Sequence, residues 1–276
     1  MHAIYMGCLS TCRFKLVHMM GRNRVKQALK KGKTVIGTMI TEVRTPEIMR
    51  MMAVAGFDFV FIDTEHSPYN LETVTDMIRV GKAAGLVCLV RVPDCEYHLI
   101  ARTLDAGAQG VMVPRVENRE QVEEVIQAAK YPPWGKRGFA ARPMITDYRK
   151  MTTRELVTEL NEDTLIVIQI ERKKAIEDID QLVSVKGVDV ALIGPHDLSI
   201  SLGVPGEFDH PLMLEAIQRV VDTCEKHNVT SGIHLREMEH LLYWKERGMR
   251  MLTYSADMAF IMSAATEAAK ELRKHI

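Results

Sequence analysis

Four segments of this sequence carry residues able to move protons or hold charge: Asp63-Thr64-Glu65-His66, Arg91, Gln169-Ile170-Glu171, and Gly194-Pro195-His196-Asp197. Each closes an apolar run rich in β-branched residues, namely FDFVFID, LVCLVRV, LIVIQIE and DVALIG. Glu171 and Asp197 end two successive runs. Two carboxylates, with the remaining positions left to water and substrate, are the usual holder of Mg2+ or Mn2+. Taken singly, Glu171 could pair with Arg172 or another arginine, and Asp197 could cap the short helix DLSISLG. Their shared location favours a cation.

His66 follows Asp63 by three residues in a turn. A carboxylate on one imidazole nitrogen fixes the tautomer and raises the basicity of the other, as a general base requires. The plainer alternative is a loop histidine that solvates a turn. Arg91 ends an apolar strand, and a fixed guanidinium there suits a carboxylate or an enolate oxygen. It could equally form a salt bridge to Asp63 or Glu65. His234 and Asp257 end two further runs, TSGIHL and MRMLTY with its extension. No lysine stands at a strand end, the nearest being Lys130 and Lys136, so a Schiff-base mechanism is disfavoured. There is no phosphate-binding glycine loop, no G-x-S-x-G elbow and no G-x-G-x-x-G after the first strand.

The elements that must position these residues alternate. Apolar strands begin at Thr34–Met39 and recur after amphipathic helices over 46–56, 71–84, 97–105, 119–129, 175–182, 211–227, 237–247 and 256–273. Eight strand–helix units with nearly continuous hydrophobic strands predict a parallel sheet buried on both faces. Closure into a TIM-type (β/α)8 barrel is favoured over an open Rossmann-like sheet, which places the working residues at the carboxyl ends of the strands. One long stretch, YPPWGKRGFAARPMITDY, interrupts the rhythm between strands four and five. Its Arg137 and Arg142 could lie over the opening, or with Trp134 stabilise the loop or a subunit contact.

The chain has 276 residues, 47% hydrophobic and 26% charged, with 36 basic and 36 acidic side chains and no formal net charge. That balance argues against nucleic acid or an anionic membrane as partner. No apolar run reaches the length of a bilayer span, so a cytoplasmic location is expected. Five scattered cysteines do not form a disulfide framework, and the lone C-x3-C of Cys8 and Cys12 lacks further metal ligands. Residues 1–22 read as a poorly ordered extension and 23–276 as the barrel domain.

From about Asn23 to Arg273 the chain resembles the HpcH/HpaI aldolases. The likeness rests on GFDFVFIDTEHSP, LVRVP, LDAGAQGVMVPRV, YPPWGKRGFA, IQIE and GVDVALIGPHDLSISLG, in that order. It implies a hexameric barrel whose last helix is exchanged between subunits. It also implies Glu171 and Asp197 as ligands of Mg2+, Mn2+ or Co2+, and His66 with Asp63 as the acid–base pair. Arg91 would hold pyruvate and its enolate, with Gln169, Pro195 and His196 lining the substrate pocket. The implied reaction is reversible cleavage of a 4-hydroxy-2-oxo acid to pyruvate and an aldehyde. Departures sit where the aldehyde partner would lie: Thr64, His196, the GFA after Arg137, Thr38-Met39 and His234-Leu235, where the family is small and apolar. Decarboxylation of oxaloacetate or cleavage of an acyl-CoA are the alternatives, the latter without a clear basic patch for nucleotide phosphates. A non-catalytic metabolite-binding barrel would need a defect in the ligand or base set, and none is seen.

Overall fold

The computed structural model describes residues 22–140 and 142–276, so the extension up to residue 21, with Cys8, Cys12, Phe14 and Leu16, lies outside the described residues. Eight parallel strands close in sequence order into a barrel. They are β1 (Val35–Ile40), β2 (Phe59–Asp63), β3 (Val87–Arg91), β4 (Gly110–Val113), β5 (Leu165–Ile170), β6 (Val190–Ile193), β7 (Thr230–Leu235) and β8 (Met251–Ala256). Twelve helices accompany them among the described residues: α1 (Arg24–Lys30), α2 (Glu47–Val54), α3 (Leu71–Ala83), α4 (Tyr97–Asp105), α5 (Arg119–Ala129), α6 (Thr153–Asp163), α7 (Lys173–Glu177), α8 (Ile179–Val183), α9 (Pro195–Ser201), α10 (Pro211–His227), α11 (Met238–Glu246) and α12 (Asp257–Arg273).

The strands form where the sequence concentrates residues that pack well on two buried faces. β2, β4, β5 and β6 are buried along their whole length. Alternate residues face inward: Phe59, Phe61, Val87, Leu89, Val167, Leu192 and Met251 form one cluster inside the barrel. The intervening residues, such as Ile168, Ile193 and Ile233, pack outward against the helices. Two residues beyond Phe61, Leu89, Val167 and Met251, the same alternation turns Asp63, Arg91, Gln169 and Thr253 inward. The pairing of His234 with Thr253 across β7 and β8 puts His234 at the same level. The upper storey of the barrel is therefore polar.

The amino end is sealed. Val25 and Leu29 of α1 join the inner cluster. Asn23 caps this helix and donates its amide to Gln109 O, 2.9 Å. Lys26 Nζ bonds Asp189 Oδ2 at 2.7 Å and Thr164 O at 2.8 Å.

Three local features differ from the pattern read in the sequence. The helix expected over 175–182 is broken at Asp178 into α7 and α8. The short helix read as DLSISLG after β6 starts two residues earlier, as α9, with Pro195 at its first position. Between the long loop and β5 lies α6, a helix the alternation did not include, opened by a capping box of Thr152 and Glu155. The box is plain in the sequence, but α6 buries only Leu156, so no apolar stripe announced it.

Candidate active site

Asp63 and Arg91 end neighbouring strands and lie in register. Arg91 Nε and Nη2 donate to the two oxygens of Asp63 at 2.8 and 2.7 Å, a bidentate pair almost closed to solvent. Burial alone would raise the Asp63 carboxyl, but the Arg91 bonds and charge outweigh it and hold it below the ordinary carboxylate range. The remaining nitrogen, Nη1, stands 3.3 Å from Glu65 Oε2. The salt bridge weighed for Arg91 is thus formed to both acids, and it fixes the guanidinium plane at the top of the barrel.

This changes the partner of His66. Asp63 does not meet the His66 ring; it accepts the backbone N–H groups of Glu65 (3.0 Å) and, more weakly, His66 (3.5 Å). Asp63 shapes the turn rather than polarising the imidazole. The His66 side chain is 65% exposed, with Nε2 3.8 Å from Glu65 Oε2. Glu65 is buried, bonds Arg115 through Oε1, and leaves Oε2 without a hydrogen-bond partner.

Glu171 is 2% exposed at the head of β5. Its carboxylate accepts the Arg115 N–H at 2.8 Å and the Gln169 side-chain amide, and it forms no salt bridge with Arg172. Burial, with repulsion from Asp197 and Glu65 adding to it against the opposing Arg115 bond, pushes its carboxyl up to about 7. Asp197 does not cap α9. Gly194 holds that position, and Asp197 lies half-buried in the first turn. Gly194 is required by close approach: a Cβ there would lie 2.6 Å from both Gln169 Nε2 and Glu171 Oε2. Pro195 is buried, and the exposed His196 packs edge-on to Phe208 with ring centroids 4.9 Å apart.

Among the described residues, no cluster of three or more His, Cys, Asp or Glu side chains forms a complete cation cage. A two-carboxylate site fits nonetheless. Asp63 and Glu65 pair with the guanidinium groups of Arg91 and Arg115, while Asp197 stands near Glu171. Glu171 and Asp197 repel one another and form no ion pair, an arrangement that a bound cation would relieve.

A model of the HpcH/HpaI aldolase/citrate lyase family matches residues 38–259. The chain belongs to this family. It is 29% identical to a hydroxypyruvate/pyruvate aldolase of Paraburkholderia phytofirmans, over 91% of this chain and 98% of the relative. It is 28% identical to a 5-keto-4-deoxy-D-glucarate aldolase of Shigella boydii, over 91% and 97%. The crystal structure of an HpcH/HpaI aldolase from Desulfitobacterium hafniense superposes with a TM-score of 0.87 at 36% identity, covering 90% of this chain and 96% of that one. The HpcH/HpaI family makes this a barrel of the aldolase and lyase type, with a small molecule as the expected substrate.

Arg115 was not among the candidates read in the sequence of this HpcH/HpaI chain. It lies two residues beyond β4, within the GVMVPRV motif, with φ 54°. That left-handed backbone, rare for a side-chain-bearing residue, aims its N–H at Glu171 while its guanidinium reaches Glu65 and Pro93 O. Its position just past a strand end was the available signal.

Two rim residues have structural work. Asp257 accepts Thr41 N–H and hydroxyl, Glu42 N–H and Val43 N–H at 2.8–3.1 Å, tying β8 to the loop after β1. Burial opposes ionisation, yet the Val43 and Thr41 bonds keep the acid below the ordinary range. Asp257→Ala should therefore lower stability by about 2–4 kcal/mol, measured by urea unfolding; a change under about 0.5 kcal/mol would contradict this role. Arg137 is buried against Asp105 (2.7 Å) and over the Tyr131 ring, so it anchors its loop and does not lie over the opening. Arg142 is exposed, and Trp134 carries Lys186 above its ring at 4.1 Å.

Lys130 has its amine pushed down to about 7 by burial beside Lys26. It sits at the sealed amino end, bonding Asn161 O and Thr164 O at 2.8 and 2.9 Å, far from the strand ends. A cavity of about 650 Å³ also opens at that end, lined by Lys26, Asp189, Glu225 and Arg250. Lys26 and Asp189 there are already paired, and no strand presents its carboxyl end to it.

His234 Nδ1 is shut off from solvent without a partner, while part of the ring reaches the mouth. Burial, aided by the charge of Arg91, pushes the imidazole down to about 4. Its unfolded value is near 6.5, so the unfolded chain takes up the proton first as pH falls. The stability involved is present above pH 6.5 and lost on descending to about 4. In unfolding measurements at pH 7 and 4.5, His234→Leu should shrink the acid loss by up to about 3 kcal/mol. An unchanged loss would place the strain elsewhere.

Proposed function

We propose that this chain is a divalent-metal-dependent (class II) pyruvate aldolase, interconverting a 4-hydroxy-2-oxo acid with pyruvate or hydroxypyruvate and an aldehyde. The observation that carries the reading is Glu171: a buried carboxylate beside Asp197 and Glu65 that forms no ion pair, the Arg91 charge acting on it only from a distance. Glu171 and Asp197 would hold Mg2+, Mn2+ or Co2+. The bound ion supplies a Lewis acid where the keto oxygen becomes negative on enolisation.

The chain's own groups do the rest. Asp63 holds Arg91 in one orientation, and Nη1, which meets Glu65 only at 3.3 Å, is the nitrogen left to donate to the substrate carboxylate or enolate oxygen. Arg115 holds Glu171 and Glu65 in place by backbone and side chain. His66, projecting from its turn into solvent, moves the proton of the 4-hydroxyl, directly or through one water. Glu65, not Asp63, is the carboxylate whose charge reaches its ring. Gln169, Pro195 and His196 border the same mouth.

A homohexamer with an exchanged last helix suits α12. Only Asp257 of its residues is buried, and Met258, Ile261, Met262 and Leu272 are left exposed. Cys88, Cys95 and Cys224 are free, which suits the cytoplasm. Among the described residues, no helix is long and apolar enough to cross a membrane.

The test is proton exchange. Chelator-stripped protein is incubated with pyruvate in deuterated water, with and without Mn2+ or Mg2+, and the methyl signal is followed by NMR. Loss of signal only with metal is expected. No exchange with any divalent metal would sink the reading and direct attention to oxaloacetate and acyl-CoA substrates.

A further inference from the structure

The upper storey of the barrel is divided by charge. Its ionised groups, Asp63, Arg91 and Glu171, come from β2, β3 and the end of β5. The uppermost inward-facing strand residues from β5 round to β8 are neutral and polar, Gln169, His234 and Thr253, with Gly194 after β6 contributing no side chain between the first two; the acids on this side, Asp197 and Asp257, lie in the first turns of the helices that follow β6 and β8. Three atoms of this sector are buried and lack any hydrogen-bond partner: Gln169 Oε1, His234 Nδ1 and Thr253 Oγ1. Buried polar atoms are nearly always satisfied, and three unsatisfied on β5, β7 and β8, two of them on neighbouring strands, call for a partner. His234 and Thr253 lie directly across from one another in the β7–β8 register, and Gln169 is held by the hydrogen bond its side-chain NH2 donates to Glu171.

The partner's chemistry follows from the donors and acceptors on offer. Gln169 Oε1 can only accept; a threonine hydroxyl and a neutral imidazole can each donate or accept. The guanidinium nitrogen left to an anion, Arg91 Nη1, is committed to the substrate carboxylate or enolate, and none of the three orphaned atoms carries a charge. A hydrocarbon would leave all three atoms unpaired. A hydroxyl, donor and acceptor at once, satisfies the set. We propose that His234 and Thr253, with Gln169, form a subsite that hydrogen-bonds a hydroxyl on a substrate carbon next to the reacting bond. The subsite deepens the aldolase reading and rests on it. The hydroxyl has two sources: C3 of the keto acid donor, as in hydroxypyruvate, or the carbon next to the aldehyde, as in glycolaldehyde.

The experiment compares wild type with His234→Leu and with Thr253→Val, which keeps the side-chain volume. One arm takes the ratio of kcat/KM for hydroxypyruvate over pyruvate with propanal as acceptor. The other takes glycolaldehyde over acetaldehyde with pyruvate as donor. At least one ratio is expected to fall about 10- to 100-fold in both variants, and the arm in which it falls identifies the source. If both ratios stay within about threefold in Thr253→Val, the subsite is overturned and water satisfies these atoms. Wild-type exchange of pyruvate protons in deuterated water, run alongside, separates the failures. Exchange without a ratio change removes only the subsite; absence of metal-dependent exchange removes the aldolase reading and the subsite with it.

Discussion

Asp197→Asn is expected to abolish divalent-metal-dependent turnover while the barrel stays folded. The substitution keeps shape and removes one negative charge from the first turn of α9, where the helix dipole favours it by only about 0.3–1 kcal/mol. It also relieves the repulsion that Asp197 exerts on buried Glu171. Metal-free stability should therefore change little, whereas the stabilisation that Mn2+ gives the wild type should vanish. Thermal unfolding with and without Mn2+, beside an aldol-cleavage assay, reads both effects. Activity near wild type would remove Asp197 from the ligand set.

His66→Ala is expected to slow aldol cleavage by roughly 10²–10⁴-fold if the ring is the general base. The side chain is largely exposed and its ring has no close partner, so truncation should leave the unfolding midpoint almost unmoved. Asp63→Asn offers the contrast. It breaks the buried pair with Arg91 and should cost stability as well as rate, on the order of 3–5 kcal/mol. A His66→Ala enzyme that turns over within threefold of wild type would leave the imidazole as a turn residue only.

Much of the site was legible because strand ends in a closed barrel must converge. Asp63, Arg91, Gln169, Glu171 and Asp197 could be assigned to one rim from their places at or just past strand ends. Side-chain partnerships were not legible in that way. His66 and Asp63 are three apart in sequence, yet the Asp63 carboxylate turns across the sheet to Arg91, because a buried acid gains more from a bidentate guanidinium than from an exposed ring. Arg115 escaped notice because its contribution to Glu171 is a backbone N–H set by an unusual φ, which no side-chain pattern encodes. Asp257 looked like another rim acid, and only the four donors from the β1 loop show it to be a clamp.

By itself, this sequence determined eight parallel strands, their closure and the end at which chemistry can occur, because buried hydrophobic runs and helical stripes are local patterns repeated along the chain. Only the tertiary structure decided which carboxylate meets which cation, that Glu171 is left without one, and that His234 and Thr253 stand opposed inside the mouth. Those outcomes depend on register between strands distant in sequence and on competition among buried charges, which spacing along one chain does not contain.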